Sequence, residues 1–495
     1  MAASVLVVRQ WSVKMFGRII NMAILIILKT FITLTKVLGI LNGGGIVVTS
    51  YLIFFYNLCG LNMAGASDFD PFAERRLANP TSNMDTLTHL LKASLGTGIL
   101  AMPKAFKRAG LVFGVLFTIL VAVVCTHCSY VLIKCAHVLY YRTRKSQMTF
   151  PEVGKAALET GPVSVQKFGN TFRSFILISL FITYFGVCSV YSVIVAKNIL
   201  QVVVYYMGID EETVELRIFI LALVVPLIIM AWVPNLKYLA PVSMIANGFM
   251  GLGLGITMYY LVGTGELKTK EVKSMLFKPP PEWPECFSLV IFAMQAIGVV
   301  MPLENSMKTP RALLGICGVL NKGMSFVCVV YIILGFVGYL RFGEDVFDSI
   351  TLNLAQDKVP AQIVKVAIAI AVYCTFGLQF FVCIEIMWNG IKHKYTKRPL
   401  FANYIMRTLL VLACVGLAVA VPTIGPFMGV IGAFCFSILG LIAPAFIEIS
   451  TYWTIGFGPA KYLIWKNILV LLFGTFALIF GTKQAVTDIL QVYTT

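Results

Sequence analysis

The chain has 495 residues, 59% of them hydrophobic and only 12% charged, with a formal net charge of +17. Soluble domains carry about 25% charged residues, so a soluble enzyme is the wrong class. A nucleic-acid binder would gather its cations on one soluble face, whereas here they sit in short segments between apolar runs.

In chain order, residues 1–62 are apolar but irregular, interrupted by Arg18, Lys29, Lys36 and a Gly43-Gly44-Gly45 run. They suit either a signal-anchor span near 19–41 or an interfacial segment, and Met63 reads as an alternative start. From residue 85 onward, apolar runs of membrane length predict eleven spans. They fall at 85–107, 111–139, 173–205, 216–235, 239–262, 285–307, 320–340, 360–390, 401–421, 425–449 and 464–482. Cations follow the second span (Arg142, Arg144, Lys145), the sixth (Lys308, Arg311, Lys322) and the eighth (Lys392, Lys394, Lys397, Arg398). Those loops are expected in the cytoplasm by the positive-inside rule. Acidic loops with Asp210, Glu211, Glu212 and Glu215, and with Glu344, Asp345 and Asp348, fall on the other side. The loop at 263–284, with Lys268, Lys270, Lys273 and Lys278, fits this rule poorly. The predicted organisation is a 1–62 extension, a 63–84 cytoplasmic tail, a first five-helix repeat over 85–262 and an extracellular or lumenal loop over 263–284. A second five-helix repeat then covers 285–449, and 450–495 holds the eleventh helix and C-terminal tail.

Two spans carry helix breakers at membrane depth. In the first, Leu95-Gly96-Thr97-Gly98 is followed by Pro103; in the sixth, Gly298 is followed by Pro302. Loosened backbone in a bilayer is tolerated only where protein or a cavity satisfies it. Paired interruptions in matching positions of two halves point to an inverted-repeat transporter, although glycines also serve close helix packing. Five helices in each half invert one half relative to the other. Helix starts offer N–H groups and helix ends offer carbonyls, which together suit a zwitterion. The expected site is Ser94, Gly96, Thr97 and Gly98 with Ile297, Gly298 and Val299. The carboxylate is assigned to Gly96–Gly98 and the ammonium to Ile297–Val299.

The segments HLLKASLGTGILAMP (89–103), KCAHVLY (134–140), MPLENSMKTP (301–310), RFGEDVFDSITLNLA (341–355) and LQFFVCIEI (378–386) resemble the proton-coupled amino acid transporters of the amino acid/auxin permease superfamily. The resemblance covers 83 to about 490. It implies an all-α membrane protein of eleven helices with a LeuT-like 5+5 core, broken helices 1 and 6, and spans one, two, six and seven rocking against a scaffold. It further implies symport of small neutral amino acids with protons, and His89 as the histidine linked to proton coupling. Some relatives join their outer loops by a disulfide; 206–215 and 341–358 hold no cysteine here.

His89 lies seven residues before Gly96, about 10 Å along a helix, with Asp85 one turn away as a stabiliser of its protonated ring. An interface histidine is the competing reading; intramembrane ionisable groups lean functional. Glu304 is a second candidate for proton coupling or gating, set against an interface carboxylate paired with Lys308. Lys92 either snorkels or pairs with Glu304 or Glu385, His137 reads as a solvated interface residue, and Tyr184, Tyr191, Tyr373 and Gln379 are possible cavity residues. Gly251-x-Gly253-x-Gly255 reads as helix packing. No cofactor, metal site or nucleic-acid partner is expected, and no hydrolase, kinase or zinc-protease motif points to an enzyme. The competing functions are an amino acid sensor with little flux and a sodium-coupled symporter of the same superfamily. Either the plasma membrane or an endolysosomal membrane suits the protein.

Overall fold

The computed structural model describes residues 69–494 apart from 76, 78–79, 210–212, 235, 264–271, 316, 355–357 and 395–397. The predicted extension 1–62, the start at Met63, and the positions of Asp210, Glu211, Glu212, Lys268 and Lys270 lie outside the described residues.

The described chain is a multi-pass helical bundle. Nine of its helices are long and apolar enough to cross a bilayer. An interrupted first helix and a kinked fourth bring the spans to eleven. Span 1 is Asn83–Ser94, a tight turn Thr97–Ala101, then Met102–Ala109. Spans 2 and 3 are Leu111–Thr143 and Gly169–Met207. Span 4 is two short pieces, Leu216–Ala222 and Val224–Ala231. Pro226 lacks the N–H that would reach back to Ala222, so the helix kinks there. Span 5 is Leu236–Gly263, and span 6 is Trp283–Met294 followed by Ile297–Ser306. Spans 7, 8 and 9 are Val319–Phe342, Val359–Ile391 and Pro399–Ala420. Span 10 runs from Gly425 to Tyr452 and widens into π-helical turns over Ile431–Phe436 and Ile438–Ile442. Span 11 begins at Tyr462 and continues to Thr494, well beyond the expected 464–482.

The loop between spans 2 and 3 folds into a helix, Phe150–Glu159, that the apolar-run reading did not anticipate. Its start is a capping box: Glu152 accepts from the Thr149 N–H at 2.8 Å and from its hydroxyl at 2.9 Å. The helix packs on spans 3 and 10 through Phe150, Val153 and Ala157.

Ion pairs and a side-chain cap tie the helices together. At one end Lys278 reaches Glu344 at 2.7 Å, so the lysine of the ill-fitting 263–284 loop is balanced by an acidic outer loop. Inside the bundle, Lys466 of span 11 donates to both carboxylate oxygens of Glu448 in span 10 at 2.7 and 2.6 Å. Glu448 is buried, so this pair fastens the eleventh helix to the core. Arg407 of span 9 caps the end of span 4, donating to the carbonyls of Ala231 and Val233 at 2.7 Å each. Of the three glycines in span 5, only Gly253 is a close-packing residue. A Cβ there would stand 2.7 Å from the Ile368 side chain, while Gly251 and Gly255 face open space.

Candidate functional site

Both interruptions are present, and they face each other. Span 1 leaves the helix at Leu95 and runs extended through Gly96 before the turn at Thr97. A Cβ on Gly98 would lie 2.6 Å from the Cα of Ala293 in span 6, so only glycine lets the two backbones meet. The hydroxyl of Tyr184 occupies the space where a Cβ on Gly298 would project.

Span 6 breaks three residues earlier than expected. Helical geometry ends at Met294, Gln295 is extended (ψ 114°), and helix resumes at Ile297. Gly298 and Pro302 are therefore inside the resumed helix. At the break the Gln295 side-chain amide donates to Cys125 Sγ at 3.4 Å and packs against Gly440. This placement changes which backbone groups of span 6 face the gap. The carbonyls of Ile297–Val299 lie in the first turn of a helix and accept from residues ahead of them, whereas the first N–H groups have no acceptor within the helix. Both resumed helices thus present N–H groups to the gap, at Thr97–Gly98 and at Ile297–Gly298. The carbonyls without a partner inside a helix belong to the helix ends before the breaks, near Ser94 and Ala293.

The gap holds a cavity of about 60 Å³, room for a few water-sized groups. Ser94, Gly96, Thr97, Gly98, Gly298 and Val299 line it, as do Tyr184, Tyr191 and Gln379 from spans 3 and 8. Ile297 does not line it; its side chain is buried in a core cluster that also holds Val131 and Leu439. Tyr373 is elsewhere, donating to the carbonyl of Pro226 at 2.8 Å. Phe292 and Phe436 close the apolar side, the latter carried by the π-helical stretch of span 10. One further residue escaped the sequence reading. Tyr331 of span 7, fully buried, donates to the carbonyl of Ser94 and to that of Ala293 (3.2 Å). A single hydroxyl thereby joins the ends of both broken helices.

The ionisable residues of span 1 stand apart from the cavity. His89 is exposed on the flank of the helix. Asp85 caps that helix, accepting from the Ser82 N–H at 3.2 Å and hydroxyl at 2.8 Å.

Glu304 pairs with neither Lys308 nor Lys92. It is fully buried, and three groups converge on it: Arg75 at 2.8 Å, His137 Nε2 at 2.9 Å and the Tyr140 hydroxyl at 2.9 Å. His137 is consequently a half-buried partner and not a solvated interface residue. Arg75 also donates to the carbonyls of Ser146 and Glu304 at 2.7 and 3.1 Å, and its guanidinium lies over the Phe72 and Tyr140 rings. The tail ahead of span 1 is fixed here by backbone as well. Thr81 N–H donates to Ser306 and Lys308 N–H to Thr81. Six residues of helix separate Gly298 from Glu304, about 9 Å, so this cluster closes the tail-side end below the cavity. Glu385 makes no ion pair with a described residue; it lines a separate crevice with Trp388, Asn403, Tyr404 and Arg407.

Comparison with known proteins matches residues 79–487 to the family described as transmembrane amino acid transporter protein. This chain belongs to that family. As a transmembrane amino acid transporter it is 58% identical over 427 residues to the Drosophila melanogaster "Proton-coupled amino acid transporter-like protein pathetic", covering 86% of this chain and 89% of that one. It is 25% identical over 417 residues to the Saccharomyces cerevisiae "Vacuolar amino acid transporter 3", covering 83% of this chain and 57% of the yeast protein. Among solved structures, MhsT in complex with L-phenylalanine has a TM-score of 0.46 at 13% identity, covering 85% of this transporter and 99% of MhsT. The inward-facing Mhp1 structure has a TM-score of 0.46 at 15% identity, covering 88% and 94%.

Proposed function

We propose that this transporter carries small neutral amino acids, of the glycine, alanine and proline class, together with protons by alternating access. The observation that carries the reading is the pair of facing helix interruptions around a small cavity. The N–H groups at Thr97–Gly98 and Ile297–Gly298 suit a carboxylate, and the carbonyls near Ser94 and Ala293 suit an ammonium. The glycines and the two aromatic rings leave little space for a side chain. A charged substrate side chain would find no counter-ion among the described residues that line the cavity.

In this reading Glu304 gates and does not carry protons. Its charge is held by Arg75, His137 and Tyr140, and opening the tail-side end requires that cluster to separate. His89, on the flank of the same half of span 1, is the proton-coupling residue implied by family resemblance. A His89→Ala protein that reaches the membrane and keeps pH-driven uptake removes it from the mechanism.

Reconstitution tests the function directly. Proteoliposomes with an inward proton gradient should accumulate glycine, alanine or proline without sodium. Binding with no accumulation supports a sensor instead, and strict sodium dependence supports the sodium-coupled alternative.

A further inference from the structure

At the end of the bundle opposite Glu304, four carboxylates gather around two cations. Arg108, from the second half of span 1, meets Glu285 Oε2 at 2.5 Å and Glu282 Oε2 at 3.4 Å, both at the start of span 6. Lys104, one turn earlier, meets Asp348 at 3.1 Å in the loop after span 7. Asp488 lies about two turns beyond Gly481 in span 11. A Cβ on Gly481 would meet the Ser288 hydroxyl of span 6, so this helix packs against the span that carries Glu285. The elements involved, spans 1, 6 and 11 and the loop after span 7, all belong to the side expected to be extracellular or lumenal.

The members of the cluster are not equivalent. Glu282 is a rim residue, its side chain 34% exposed. Burial pushes Asp348 up, but the Lys104 ammonium and the Gly425 N–H (3.0 Å) outweigh it and hold that carboxyl below its ordinary value, with Lys197 contributing. Asp348 is therefore satisfied as an anion. Glu285 and Asp488 are different. The Glu285 side chain is 2% exposed and has the Arg108 guanidinium as its ion-pair partner, a cation it shares with Glu282. Asp488 accepts from Gln484 through Oδ1 at 2.8 Å, while its Oδ2 is buried with no hydrogen-bond partner. A buried carboxylate oxygen without a donor is costly as an anion and inexpensive as an acid. A buried carboxylate with too little positive charge around it relieves the deficit by taking up a proton.

We propose that Glu285 and Asp488 form a proton-binding site at the outer mouth, and that the transported proton binds there first on entering from outside. The inference rests on the proton-coupled reading above. It gives protonation a mechanical consequence. Arg108 straps the moving half of span 1 to span 6, while Asp488 belongs to the appended eleventh helix. Neutralising one carboxylate weakens the strap at the same moment that the mouth loses a negative charge.

The test is the ratio of amino acid uptake at about pH 5.5 to that at about pH 7.5. Glu285→Gln and Asp488→Asn mimic the protonated pair and should bring the ratio close to one. Glu282→Gln, on the rim, should keep the wild-type ratio. A wild type without pH dependence overturns the proton-coupled reading and this proposal together. A wild-type ratio that survives in both variants overturns this proposal alone. Should neither variant reach the membrane, dicyclohexylcarbodiimide, which modifies protonated carboxyls in apolar surroundings, probes the unmodified protein. Mass spectrometry should find Glu285 or Asp488 modified in a pH-dependent manner, and modification of neither overturns the site.

Discussion

Replacing Arg75 by alanine leaves the Glu304 carboxylate buried without its main counter-charge. Side-chain exposure is 3% for Arg75 and 0% for Glu304, so solvent does little to screen the loss. Removing one member of a buried pair costs about 3–5 kcal/mol. His137 and Tyr140 still donate to Glu304, which places the expected cost at the lower end, about 3 kcal/mol, or about a hundredfold in an equilibrium constant. On the proposed gating role that cost falls on the closed arrangement alone, because opening of the tail-side end would bring Glu304 into contact with water. Hydrogen exchange in lipid nanodiscs reads the result. Amides of Ile297–Ser306 and of the Thr81–Lys308 backbone pairing should lose about two orders of magnitude of protection in Arg75→Ala. Arg75→Lys should fall between, since an ammonium cannot reach Glu304 and the Ser146 carbonyl with the same fork. Unchanged exchange at Ile297–Ser306 would refute the claim that Arg75 holds this end shut.

Gly98→Ala should abolish uptake, because its Cβ meets the Ala293 backbone at 2.6 Å and overpacking of this kind costs about 1–3 kcal/mol or more. Gly251→Ala, facing open space, should transport normally in the same assay. Tyr331→Phe removes the donor shared by the Ser94 and Ala293 carbonyls, a loss of about 1–3 kcal/mol for buried acceptors; weaker substrate affinity by uptake titration is the expected outcome. Burial raises the Glu152 carboxyl, but the Thr149 N–H and hydroxyl outweigh it and hold the group below its ordinary value. Its support of helix Phe150–Glu159 is therefore present above the unfolded value of about 4.3 and lost as pH falls through the lowered one. Glu152→Ala should loosen that helix by about 1 kcal/mol at neutral pH, measured by exchange, with the difference fading in acid.

Membrane class, the number of spans and the existence of two breaks were legible in the sequence because they depend on local properties. Hydrocarbon thickness sets the length of an apolar run, and glycine with proline marks where a helix is weak. The capping box at Thr149–Glu152 was equally legible in principle, since its spacing is local, but a search for apolar runs passes over it. Where span 6 breaks was not legible. Gly298 has the weaker backbone, yet the helix yields at Gln295, whose amide is held by Cys125 from span 2 and packs against Gly440 from span 10. The partners of Glu304 were hidden for the same reason: Arg75 stands 229 positions away, and the nearer Lys308 was the reasonable local choice. Tyr331 looks like any aromatic residue in an apolar span until folding brings its hydroxyl to the ends of two other helices. The sequence alone determined which segments of the described chain are apolar enough to cross the membrane and where its backbone is weak. Only the tertiary structure decided which weak points open and which charges meet, because both depend on contacts between helices far apart in the chain.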